Sequence, residues 1–147
     1  MLKFEQQRGA SDCGVACLSM IADIPYEDVV VVLNNLNISF EKGLTFLDCK
    51  AALAKWGFYT EDIVVLDTTA FGGGVYLVQT PSLNNMSGYH FVVFEMHAEE
   101  DKWVSQVLDP QQGREGFNIY ARDTPLWGLP IIRCIKVMGG SPSEHLN

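Results

Sequence analysis

Asp12-Cys13-Gly14-Val15-Ala16-Cys17-Leu18-Ser19-Met20-Ile21-Ala22 is the stretch on which the fold turns. Asp12 is a suitable N-cap, and Val15, Leu18 and the Met20-Ile21 pair recur at helical spacing, so a helix is expected to open at Cys13. A cysteine in a first turn lies among backbone N–H groups that have no partner within the helix. The positive end of the macrodipole favours a thiolate there, which makes Cys13 a candidate nucleophile. The competing role is a small buried side chain, since free cysteine is among the most buried residue types.

Outward from this stretch the helical character continues. Pro25 sits at a first-turn position, with Glu27 and Asp28 near the positive end of the dipole, and residues 29–36 extend that segment despite four valines in a row. Thr45 with Asp48 three residues on is a shortened capping box and opens a third helix. Leu44, Leu47, Ala51, Leu53 and Trp56 are expected as its buried stripe, with Gly57 as the stop. From Phe58 the pattern changes to short apolar runs between turn residues, at 63–66, 75–78, 89–95, 103–108, 117–120 and 131–137. A charged turn at Glu99-Glu100-Asp101 joins two of them into an antiparallel hairpin, and 81–88 reads as a polar loop. Helices first and antiparallel strands second predict an α+β fold. One domain is expected over 1–138, with a flexible tail over 139–147.

Composition narrows the function. The chain has 147 residues, 48% of them hydrophobic, enough for one core, and a formal net charge of −8 with no basic run. Nucleic acid is therefore excluded as the main partner, because phosphate binding needs a basic patch. No stretch approaches the roughly 18 consecutive apolar residues of a membrane span, and residues 1–8 lack a signal-peptide core. Cys13, Cys17, Cys49 and Cys134 form no C-x-x-C pair, which points to free thiols and a cytoplasmic location. Cys13 and Cys17 have no second ligand pair at zinc spacing, so neither a metal nor a cofactor is expected.

A thiolate needs a base, a group that orients the base, and donors for the oxyanion. His90 opens a strong strand after Gly88-Tyr89, where its side chain can project from the sheet end toward a packed helix. Asp109 closes the next strand of the same hairpin, so antiparallel pairing makes the two neighbours. An imidazole held at one nitrogen by a carboxylate can present the other to a thiol. Asp109-Pro110 is also ordinary turn chemistry. Gln7, just upstream of Cys13, could donate its amide to an oxyanion, and Gln6 beside it competes for that role.

Gln7 and Asp12-Cys13-Gly14-Val15-Ala16-Cys17-Leu18, then Gly88-Tyr89-His90-Phe91-Val92-Val93, then Leu108-Asp109-Pro110-Gln111-Gln112-Gly113, resemble the motifs of bacteriocin-processing peptidase domains. Gly43-Leu44-Thr45 fits the same pattern, and the resemblance spans most of the chain. Those papain-like cysteine peptidases are usually the N-terminal cytosolic part of peptidase-containing ABC transporters, and they cut leader peptides after a Gly-Gly pair. The resemblance implies Cys13 as nucleophile, His90 as general base and acid, Asp109 as orienting carboxylate and Gln7 as oxyanion donor in preference to Gln6. It implies a buried Cys17, a peptide substrate and an ABC exporter as partner, whereas a secretion system would go with an effector. With no transporter segment after residue 147, a free-standing or excised domain is expected. Met138-Gly139-Gly140 carries the same glycine pair, here read as a flexible end and not a self-cleavage site. The leader-binding surface is not identified, because Phe40, Trp56, Phe58 and Trp127 read equally well as core. Two other outcomes use the same residues: a papain-like deamidase or acyltransferase acting as a bacterial toxin or effector, and a silent leader-binding domain.

Overall fold

The computed structural model describes residues 2–63, 72–81, 88–111 and 131–140. The expected strand at 117–120, the 64–66 part of the first apolar run, residues 82–87 of the polar loop, Trp127 and the tail from 141 onward lie outside them. Three helices come first, α1 (Cys13–Ala22), α2 (Tyr26–Asn35) and α3 (Phe46–Lys55). Five strands follow, β1 (Phe58–Ile63), β2 (Gly74–Pro81), β3 (Tyr89–Glu99), β4 (Lys102–Leu108) and β5 (Arg133–Gly139). The strands form one antiparallel sheet in the order β1-β5-β2-β3-β4. This is the α+β arrangement that the sequence led us to expect of a papain-like fold, with helices packed on an antiparallel sheet.

Alternation along β3 divides the core between the two sheet faces. Phe91 and Val93 join the helices in the larger cluster, while Val92 and Phe94 join Tyr76, Val78, Val107 and Cys134 in the smaller one. All ten residues of α1 are buried, because the helix lies on β3 with α2 and α3 beside it. Full burial of a Leu, Val or Ile side chain contributes roughly 1.5–3 kcal/mol, so Val15, Leu18 and Ile21 anchor the helix that starts at Cys13.

Two local expectations need correction. In α3 the Thr45–Asp48 capping box is present in both directions, at 3.1 and 2.9 Å, but the buried stripe is displaced. Leu47 is 73% exposed and Ala51 is also exposed, while Phe46, Cys49, Ala52, Leu53 and Trp56 face the core. The cap sets where the helix begins, and packing against α1 and β1 sets which face turns inward. Among the described residues the first strand is Phe58–Ile63, so strand begins earlier than the expected apolar run and shares only Ile63 with it. β1 is a polar edge strand whose pairing with β5 supplies its backbone bonds. Gly139 closes β5 opposite Phe58, one residue inside the segment read as tail. Trp56 is core, and Phe40 and Phe58 are partly buried against it.

Candidate active site

The register of α1 on β3 places the first residue of the helix. Cys17 is fully buried, and its thiol donates to the Phe91 carbonyl at 3.4 Å. Cys13 lies one turn earlier on the same helix face, so it comes up beside the residue before Phe91. That residue is His90, and the Cys13 thiol is near enough to the imidazole to raise its pKa. Burial also pushes the Cys17 thiol well above its ordinary pKa, leaving Cys13 as the cysteine at the mouth of a cleft.

The hairpin supplies the second contact. Val93 pairs with Leu108, and the chain on either side of this pair carries His90 and Asp109 to the same end of the sheet. The His90 Nε2 atom lies 2.7 Å from Asp109 Oδ1, with both side chains buried. Asp109 Oδ1 also accepts the Gln111 N–H at 2.9 Å, which fixes the carboxylate. With Nε2 committed to Asp109, Nδ1 is the ring nitrogen left for the sulfur. Burial by itself pushes the imidazole down, but the hydrogen bond to Asp109, the nearby Cys13 thiol and the charges behind them raise its pKa to about 9. The ring therefore favours the imidazolium at neutral pH.

Gln7 is buried, whereas Gln6 is exposed. The Gln7 backbone N–H donates to the Pro110 carbonyl at 2.9 Å, which ties the N-terminal segment beside Asp109. The Gln7 side-chain Nε2 donates to the Gly9 carbonyl at 2.8 Å. Among the described residues, Gln7 Oε1 has no partner.

Asp12 occupies the N-cap position of α1 but makes no side-chain cap. Its buried carboxylate accepts the Arg8 N–H, the Gly9 N–H and the Tyr26 hydroxyl, each at 2.7 Å. Burial raises its pKa, and those donors together more than reverse this, so it stays below the ordinary carboxylate value. Tyr26, which the sequence reading passed over, is raised by burial and by the same Asp12 bond. No local pattern announces such a residue, because its partner lies on the preceding helix.

A cleft of about 560 Å³ opens over Cys13 and His90. Lys42, Gly43 and Leu44 form one wall, with Tyr89 and Arg133 across from it. A side chain at Gly14 would press to 3.0 Å from Leu44, and Gly43 takes φ +93°, so two glycines let this wall close on the helix N-terminus. Arg133 lies over the Phe46 ring at 4.7 Å and reaches Asp62 at 3.3 Å, a carboxylate that partly offsets its charge. A thiol and an imidazole lining one cleft, with a carboxylate buried behind the ring, are equipped for acyl transfer.

The model of the Peptidase C39 family matches residues 1–120, a span that contains Gln7, Cys13, His90 and Asp109. No curated protein matches the chain.

Proposed function

The chain belongs to the Peptidase C39 family of cysteine peptidases, and from that premise we propose that it cuts a leader peptide after a Gly-Gly pair. One observation carries the reaction class: a buried His90–Asp109 pair at 2.7 Å whose imidazole lines one cleft with Cys13. In this reading the Cys13 proton already rests on His90, and the thiolate attacks the carbonyl carbon of the second glycine. The carbonyl electrons move to oxygen, where the Gln7 amide and the Cys13 N–H receive the charge. As the intermediate collapses, the C–N bond breaks and the His90 imidazolium protonates the leaving amine. Water then gives a proton to His90 and attacks the thioester, releasing the leader carboxylate and the free thiol. Asp109 keeps Nε2 protonated and the ring oriented throughout.

The double-glycine substrate, an ABC exporter as partner and a cytoplasmic site of action are supported by family membership and by the motif resemblance. Among the described residues no helix is long and apolar enough to cross a membrane. Mass spectrometry of a synthetic double-glycine leader incubated with the protein tests the proposal. Two fragments cut after the second glycine are expected, and none with Cys13→Ala. An intact peptide whose glutamine has been deamidated would overturn peptide-bond cleavage.

A further inference from the structure

We propose that Asp12 and Tyr26 are positioning residues for the oxyanion site, acting through Gly9 on Gln7. The inference rests on the reading of Gln7 as an oxyanion donor and deepens it. Four groups form a continuous hydrogen-bonded series. The Tyr26 hydroxyl donates to Asp12, Asp12 accepts the Gly9 N–H, and the Gly9 carbonyl accepts Gln7 Nε2. One Nε2 hydrogen is thereby occupied and the amide plane is set, which leaves the second hydrogen as the donor.

The segment between Gln7 and Cys13 is irregular, with neither helix nor strand to hold it. Its shape comes instead from two consecutive N–H groups, of Arg8 and Gly9, converging on one carboxylate. This explains why the residue before the helix leaves the helix uncapped. Its lone pairs are spent on the preceding turn. The Arg8 guanidinium covers the Tyr26 ring at 3.9 Å and pairs with Glu27, so α2 closes the outer side of the clamp. An amide in place of Asp12 would present an NH2 group to donors and release Gly9, and with it the carbonyl that aims Gln7.

Steady-state kinetics on the leader peptide and on p-nitrophenyl acetate, whose hydrolysis also develops an oxyanion, give the first measurement. The rate of Cys13 alkylation by iodoacetamide gives the second, because displacement at a methylene develops no oxyanion. Cys17, Cys49 and Cys134 are fully buried and do not compete for the reagent. Asp12→Asn is expected to lower kcat on the order of 10–100-fold, with KM and the alkylation rate within about twofold of the parent. Gln7→Ala with Asp12→Asn should be no slower than Gln7→Ala alone, since the second change acts through the first. Tyr26→Phe keeps the carboxylate and should give a smaller loss in the same direction, which preserves the test if Asp12→Asn does not fold. Normal kcat in both variants, an alkylation rate that falls in parallel with kcat, or additive losses in the double variant would each overturn the clamp. A parent protein that hydrolyses the ester but leaves the leader intact would overturn the leader reading and leave the clamp to be decided on the ester.

Discussion

α1 and α2 are both ten residues long and lie side by side, yet every residue of α1 is buried and only Tyr26, Val29 and Leu33 of α2 are. α2 is an ordinary amphipathic helix, with Val31 54% exposed on its outer face. α1 is enclosed by β3, α2 and α3, and its first residue lines the cleft. The difference teaches that the helix opening at Cys13 is held by packing all along its length, so that one end can remain open to a cleft. Its neighbour serves as a wall, and contributes to the site through Tyr26 and Glu27.

The sharpest test of that contrast is Cys13→Ala. It should abolish cleavage while leaving circular dichroism and cooperative unfolding intact, because a methylene-sized change at the helix end leaves the enclosure whole. Loss of the fold with the activity would break the distinction between site and scaffold. Next in size, Leu18→Ala in α1 is expected to cost about 2–5 kcal/mol in urea unfolding, the range for a buried leucine cavity. A third effect depends on pH. His90 has its folded-state pKa raised from 6.5 to about 9, so the stability it contributes is complete below about pH 6.5 and lost as pH rises through about 9. Unfolding midpoints measured across that interval should fall, and Asp109→Asn should flatten the fall by removing the imidazolium's carboxylate partner. Thr45→Ala should cost about 1 kcal/mol by removing one half of a capping box. Smallest of all, Val31→Ala on the exposed face of α2 should change stability by less than about 0.5 kcal/mol. A large effect there would erase the contrast between the two helices.

What was legible in the sequence was what short-range physics determines. The bounds of α1 and the Thr45 cap of α3 follow from neighbours within four residues. The proximity of His90 and Asp109 follows from a two-residue turn at Glu100-Asp101 and antiparallel register. Asp12 was misread as a cap because its donors include Tyr26, fourteen positions away on another helix. The α3 stripe was misjudged for a related reason: helical spacing allows several faces, and only the neighbours in space choose one. The place of β5 between β1 and β2 is longer-ranged still, and no local pattern encodes it.

The N-terminal segment is laced to the hairpin at two points, Leu2 N–H to Glu95 and Gln7 N–H to Pro110, the first spanning 93 positions. During synthesis Cys13 therefore leaves the ribosome long before the residues that would arm it. Contacts of such high sequence separation also close late in folding, after the local helices have formed. The nascent chain carries an unaccompanied thiol, and Cys13, His90 and Asp109 come together only when these distant segments meet. Late assembly of this kind would keep the thiol apart from the imidazole until the rest of the domain is already shaped around them.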